Sequence, residues 1–340
     1  MPVTLKDIAR KVGYSITTVS RALAGYDDVA QSTRQLILAT AAEMGYHPDA
    51  TARRLRSRRT DTIGFVIPTH GPRFSDPFFS ELLAGIGNKA AEHEYDLLVS
   101  TCAPGAEELR VYERMVQGRR VDGMLVVRTR HRDQRIAYLV DQGFPFVTFG
   151  RSDLEADFPY LDVDGEAGVG HLVQHLVDLG HRRIAYITAP PDLMFASHRL
   201  EGYRQALAIN EIPFDDTLIG VGEMTKASGY EAAWAFLTFD ERPTAIVACN
   251  DLMALGAISA AQRLGLSVGR DVAIVGFDDV PLAEHVHPSL TTVRQPIYEI
   301  GQRICDMLIC VLREGALDER HVILRPQLVV RESCGALAVQ

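Results

Sequence analysis

The stretch Val3 to Ala24 reads VTLKDIARKVGYSITTVSRALA, and two short amphipathic helices around a tight turn fit it. Thr4 is a good helix N-cap, and Asp7 three positions on completes a capping-box-like start. Leu5, Ile8, Ala9 and Val12 recur at helical spacing, and Gly13 ends the run. Ser15 caps the next helix. Its Val19, Ala22 and Leu23 face inward, which leaves Ile16, Thr17, Ser20 and Arg21 outside. Ser32 with Gln35 starts a third helix, in which Leu36, Ile37, Ala41 and Met44 pack back on the pair until Gly45. Three helices around one small core make a helix-turn-helix. In such motifs the second helix enters the DNA major groove with its N-terminal side chains at base edges. There Arg21 suits a bidentate contact to guanine, while Ile16 and Thr17 suit thymine methyls or a hydroxyl contact.

Charge separates this head from the rest of the chain. Residues 1–60 hold ten Lys/Arg against five Asp/Glu, a net +5, whereas the whole chain carries −9, so the remainder carries −14. A basic head on an acidic body is the asymmetry expected if only the head meets phosphate. The next segment, Tyr46 to Arg59 (YHPDATARRLRSRR), sharpens this. Pro48 breaks the chain, Asp49 can cap, and ATARRLRS is a helix candidate too short to stand alone in water. A solvated basic linker is one reading. The other is a hinge helix that orders on DNA, with Arg53, Arg54 and Arg56 on phosphates and Leu55 wedged into a minor-groove step.

The run VTLKDIARKVGYSITTVSRAL followed by GYHPDATARRL resembles the signature of the lactose-repressor (LacI) family of bacterial transcription regulators. The resemblance implies a hinge helix whose leucine, here Leu55, intercalates at the centre of a palindromic operator. It implies base-reading roles for Ile16, Thr17 and Arg21. The residues assigned to DNA are Thr4, Ser15, Ile16, Thr17, Ser20 and Arg21 in the head, and Arg53, Arg54, Leu55 and Arg56 in the hinge. Asp49 departs from the asparagine usual in the family and puts an extra negative charge near DNA.

From Thr62 onward short apolar runs alternate with helical patterns. The strand candidates are residues 62–68, 95–101, 123–128, 145–150, 183–189, 244–250 and 272–278, with a last strand VILRPQLVVRES near the C-terminus. Near-continuous apolar strands between helices imply parallel sheets covered on both faces, and two such series imply two doubly wound lobes. The expected fold is α/β. A three-helix helix-turn-helix and hinge helix precede a two-lobed body like that of periplasmic binding proteins. The domains read as 1–47, a hinge at 48–61 and an effector-binding and dimerisation body at 62–340. Within the body the N-lobe spans about 62–159 and 293–320, and the C-lobe about 160–292 and 321–333.

Ligands of such sheets bind outside the carboxyl ends of the strands. The polar and aromatic residues there are Asp76, Phe78 and Phe79 after the first strand, then Arg151, Arg199, Asn250, Asp251, Asp278, Asp279 and Gln295. Aromatic faces for CH surfaces, with Asp, Asn and Arg bidentate to hydroxyls, are the chemistry a sugar needs. Taken singly, each is about as readily a loop residue or helix cap, Asp251 and Asp279 above all. The family resemblance implies an effector set of Phe78 or Phe79, Arg199 in RLEGY, Asn250 and Asp278. Arg151 and Gln295 complete the expected site.

Other chemistries find little support. His171 and His175 stand at i, i+4 without an HExxH frame, so no metal is expected. GEAGVG at 165–170 is neither a dinucleotide nor a P-loop pattern, and no cofactor is expected. Asp162 and Asp164 alternate on a strand and point to opposite faces, a poor acid–base pair. No GxSxG elbow occurs. The five scattered cysteines read as buried thiols of a reducing compartment. No apolar run approaches the roughly 20 residues that span a bilayer, and MPVTLKD carries no signal-like run, so the expected location is cytoplasmic. The expected partners are palindromic operator DNA, a mono- or disaccharide effector and a second copy of the chain, because a two-fold dimer suits a palindrome. The helix after Pro77 and the helix at 253–265 are the expected dimer contacts. A transport-system sugar-binding protein is the alternative, but it would need a signal peptide and no basic head. A cytosolic enzyme on the same scaffold would need a catalytic constellation.

Overall fold

The computed structural model describes residues 3–23, 25–46, 59–69 and 76–336. They fall into two compact units, divided after Arg59. The first unit holds α1 (Leu5–Val12), α2 (Ile16–Leu23) and α3 (Gln31–Glu43). Ile8, Ala9, Val19, Ala22, Val29, Ile37 and Ala41 form its core. The capping devices sit where the sequence places them. The Asp7 carboxylate accepts from the Thr4 amide at 3.1 Å and from its hydroxyl at 2.6 Å, and Ser15 Oγ accepts from the Thr18 amide at 3.0 Å. The third helix differs from expectation. It starts at Gln31 behind Ala30, so Ser32 lies inside the first turn and caps nothing. Its inward stripe is Ile37, Thr40 and Ala41, which turns Leu36 outward to 49% exposure.

The second unit is the two-lobed body. The N-lobe sheet is built from β1 (Thr62–Pro68), β2 (Asp96–Cys102), β3 (Gly123–Val126), β4 (Phe146–Phe149), β5 (Tyr160–Val163) and a late strand that returns to it. Between them lie α4 (Pro77–Glu92), α5 (Ala106–Gln117) and α6 (Gln134–Asp141). The chain then crosses to the C-lobe. There it forms α7 (Gly165–Asp178), β6 (Ile184–Thr188), α8 (Met194–Ile209), β7 (Ile219–Val221), α9 (Lys226–Leu237) and β8 (Ala245–Ala248). Next come α10 (Asp251–Arg263), β9 (Ala273–Asp278), the short α11 (Leu282–His285) and β10 (Thr291–Arg294). It returns through α12 (Ile297–Glu314) to β11 (His321–Leu324) in the N-lobe and ends on β12 (Gln327–Val329) in the C-lobe.

The sheet orders are β2-β1-β3-β4-β5-β11 and β7-β6-β8-β9-β10-β12. All pairings are parallel except that of β12 on β10. Each lobe thus has the flavodoxin-like order, whose switch points, β1/β3 and β6/β8, open ligand crevices at the strand ends.

Three passages join the lobes: near Asp164, at Gln295–Pro296 and at Arg325–Pro326. This corrects the expected boundaries. Strand β5 and strand β11, placed in the C-lobe from sequence, pair with each other in the N-lobe sheet, with Tyr160 opposite His321. Strand β10 stays in the C-lobe beside β9. The run VILRPQLVVRES is two strands rather than one, because Pro326 has no N–H for a ladder and lies where the chain leaves one sheet for the other.

Helix α4, expected at a dimer contact, lays one face on α12 inside its own N-lobe. A Cβ on Gly85 would stand 2.1 Å from the Tyr298 carbonyl, so only glycine lets the two helices approach so closely.

Candidate functional sites: a recognition helix and an inter-lobe cleft

In the head, α2 presents Ile16, Thr17 and Arg21 to solvent, with Ser20 half-buried. The Arg21 guanidinium pairs with Asp28 at 3.0 Å and lies 5.4 Å from the centre of the Tyr26 ring. That arginine is therefore held over the outer face of α2 by groups from the following loop. The hydroxyls of Thr4 and Ser15 serve the helix starts. Arg53, Arg54, Leu55 and Arg56 lie outside the described residues.

In the body, a cleft between the lobes, with about 670 Å³ of space including its open mouth, collects strand ends from both sheets. The N-lobe wall carries Asp76 and Phe78 at the start of α4, Arg128 and Thr129 after β3, Phe149 and Gly150 at the end of β4, and Asp162 in β5. The C-lobe wall carries Phe195, His198 and Arg199 of α8, Met224 after β7, Asp278 at the end of β9 and Gln295 after β10. Arg128, Met224 and Asp278 have φ of 49°, 58° and 126°. Non-glycine residues in this region are strained and cluster at ligand sites. Gly150, at φ 108°, is the glycine this wall requires, since a Cβ there would meet Thr129 Oγ1 at 2.6 Å.

The polar groups are arranged in pairs. Arg128 Nη2 meets Asp76 Oδ2 at 2.7 Å, while Asp76 Oδ1 accepts the Phe78 amide at 3.1 Å and caps α4. Burial pushes the Asp76 carboxyl up against the opposing pull of Arg128, and burial likewise pulls the Arg128 guanidinium down. Across the cleft Arg199 Nη2 stands 3.8 Å from Asp278 Oδ1, which accepts from Gln295 Nε2 at 2.6 Å. Burial drives the Asp278 carboxyl well up. Arg199 opposes that shift, and the Asp251 and Asp76 carboxylates add to it. The Arg199 guanidinium lies 3.6 Å from the Phe277 ring centre and 4.8 Å from that of Phe195, and it donates to the Cys249 carbonyl. Its Nε is buried and has no hydrogen-bond partner among the described residues. Phe78 and Phe149 lie 6.0 Å apart at 21°, a flat apolar patch on the N-lobe wall.

The expected effector residues divide accordingly. Phe78, Arg199, Asp278 and Gln295 come together in the cleft. Phe79 does not: one helix position turns it into the N-lobe core, fully buried beneath the Arg128 guanidinium. Asn250 does not line the cleft either, because its Oδ1 accepts the Met253 amide and caps α10. Arg151 stands behind the wall. It binds Asp162 at 2.7 Å and His198 Nδ1 at 2.7 Å, so it positions two residues that do line the cleft. Burial, then the charge of Arg151, pushes the His198 imidazole down. A neutral ring whose Nδ1 accepts from Arg151 carries its proton on Nε2.

Sequence reasoning missed Arg128, Thr129, Phe149, Asp162, Phe195, His198 and Met224. Arg128 ends the strand candidate GMLVVR, so the strand-end rule applied to it as well. Phe195 and His198 precede Arg199 by one helical turn and by one residue.

The loop that carries Arg128 also clasps the other lobe. His131 N donates to the Asp192 carbonyl at 3.0 Å, and Met194 N to the Thr129 carbonyl at 2.9 Å. Arg130 reaches Asp192 at 3.4 Å. His131 bonds Asp153 on its own lobe and Ser197 on the other, each at 2.9 Å. Beneath the loop, Arg135 joins Glu108 and Asp133 at 2.6 Å each and donates to the Arg128 carbonyl at 2.9 Å.

Two family models match the chain: bacterial regulatory proteins of the lacI family over residues 4–49, and a periplasmic binding protein-like domain over residues 173–334. The HTH-type transcriptional regulator AglR of Rhizobium meliloti is 37% identical, over 98% of this chain and 95% of its own length. The solved complex of the transcriptional regulator CelR with cellobiose superposes with a TM-score of 0.76 at 33% identity, covering 97% of this chain and 99% of that one. The lac repressor dimer bound to operator and the anti-inducer ONPF gives a TM-score of 0.86 at 28% identity, over 99% and 100% of the two chains. A helix-turn-helix head, a two-lobed body with a cleft at its switch points and relatives matched over their full length agree: the chain belongs to the LacI family of bacterial regulatory proteins.

Proposed function

We propose that this protein is a cytoplasmic, dimeric repressor of carbohydrate genes, whose hold on a palindromic operator is set by a small sugar in the inter-lobe cleft. The observation that carries the reading is the cleft itself. It sets an apolar aromatic patch opposite the Asp278 carboxylate, the Arg199 guanidinium and the Gln295 amide, on lobes joined by three passages. Sugars present CH faces to the former and vicinal hydroxyls to the latter. The cellobiose complex of CelR supports a disaccharide as readily as a monosaccharide. On the DNA side, Ile16, Thr17 and Arg21 read bases, and the basic segment that follows, with Leu55, is the hinge. Effector binding changes the set of the lobes, and the hinge passes that change to the operator, a coupling between two sites through a two-state element.

A thermal-shift screen against mono- and disaccharides, followed by operator binding in the presence of each hit, tests this. The expected result is a sugar that raises the melting temperature and changes operator affinity, because a ligand of the folded state stabilises it. A hit that leaves operator affinity unchanged would separate the sugar from the regulation.

A further inference from the structure

We propose that the cleft selects an uncharged effector, because every charged side chain lining it, among the described residues, is matched by one of opposite sign in the wall or directly behind it. The inference deepens the effector reading above and rests on it.

The matching is specific in geometry. Asp76 has Arg128 at 2.7 Å, Asp162 has Arg151 at 2.7 Å, and Asp278 has Arg199 at 3.8 Å and the Gln295 amide at 2.6 Å. His198, the remaining titratable group on the wall, accepts a hydrogen bond from Arg151, which suits a neutral ring. These groups are set in a largely buried wall, where an unmatched charge is costly and breaking one member out of a pair is costlier still. A phosphate or carboxylate on the effector would have to take an arginine from its aspartate or stay unpaired out of water. An ammonium would face the reverse problem. A neutral polyol avoids both. Its hydroxyls donate to the carboxylates and accept from the guanidiniums without dissolving any pair.

Asp76 provides a clean way to unbalance the wall. Asp76→Asn keeps an oxygen to accept the Phe78 amide, so the cap on α4 survives while the charge opposite Arg128 disappears. Arg128→Gln does the opposite and leaves Asp76 alone. Calorimetric titration of the full chain should use matched probes: glucose, glucuronate, glucose 6-phosphate and glucosamine; cellobiose and cellobionate; and uridine with uridine monophosphate.

For wild type the neutral member of a responding set should bind at least about 100-fold more tightly than its charged counterparts. Asp76→Asn should gain affinity for the anionic member, and Arg128→Gln should lose neutral binding without that gain. Unliganded melting temperatures show that each variant folds. Binding of an anionic probe to wild type as tightly as its neutral partner would overturn the proposal. So would an Asp76→Asn protein that folds, binds the neutral probe and gains nothing toward the anion. If the nucleoside pair alone responds, the carbohydrate reading fails, and the neutral-to-charged ratio of that pair still decides the charge rule.

Discussion

The recognition helix and the inter-lobe cleft handle charge in opposite ways. On α2, Arg21 is exposed, tied to Asp28 and Tyr26 only at the surface, and can exchange those partners for a base edge or a phosphate. In the cleft, buried Arg128 is hydrogen-bonded to Asp76 and buried Arg199 stands 3.8 Å from Asp278, so a ligand must fit among charges already offset. The difference follows from the partners. DNA is a dense array of charges reached by long-range attraction, whereas a small neutral molecule is selected at contact distance.

That contrast can be tested by substitutions in each region. Asp278→Ala leaves Arg199 buried without its carboxylate and Gln295 without its acceptor. It should abolish the effector response, with affinity down by about 100-fold or more, while operator binding in the absence of effector stays intact. Equal loss of operator binding would show that the two regions are not separable. Arg21→Ala should cost specific operator binding about 1–3 kcal/mol, and non-specific binding far less, in fluorescence anisotropy with matched and scrambled duplexes. Phe78→Ala removes half of the aromatic patch and should weaken sugar binding by about threefold to tenfold, with unliganded stability little changed.

The smallest expected effect is one of pH. Burial pushes the Asp251 carboxyl up to about 6, against hydrogen bonds from Thr292 and the Val280 amide. A carboxyl raised on folding contributes stability that is full below its unfolded value and is lost as pH rises through the folded one. Asp76 and Asp278 are raised as well and act in the same direction. His198 and His181, pushed down by burial, act in the opposite direction over the same range, so the expected effect is read as a difference: relative to Asp251→Asn, the wild-type protein should gain stability as pH falls from about 7 to about 5. The carboxyls held below their usual range, such as Asp133 and Asp271, titrate beneath this window.

Much of this architecture was legible in the chain because local signals agreed. Caps at Thr4 and Ser15, a stop at Gly13 and the inward stripe through Val19 and Ala22 leave little freedom for α1 and α2. The long apolar strands β1, β6 and β9 stand out by composition. Strand β7 went unseen, because a run of three residues carries too little pattern, and β5 was read only as a strand bearing Asp162, without its place in the sheet. The crossing at Pro326 was hidden because a strand that changes sheet looks continuous in sequence. In the site, position at a strand end identified Asp278 and Gln295. It could not tell Phe78 from Phe79, which are a hundred degrees apart on one helix, and it could not reveal that Asn250 spends its side chain on a cap. The pairing of Arg151 with Asp162, and with His198 from the other lobe, exists only in three dimensions.

The clasp between Thr129–His131 and Asp192–Met194 adds a property of time. Its two backbone hydrogen bonds cross from lobe to lobe beside Thr129, which lines the cleft. Parting the lobes at that point breaks both bonds, so the rate of opening there is set by the clasp as well as by contacts inside the cleft.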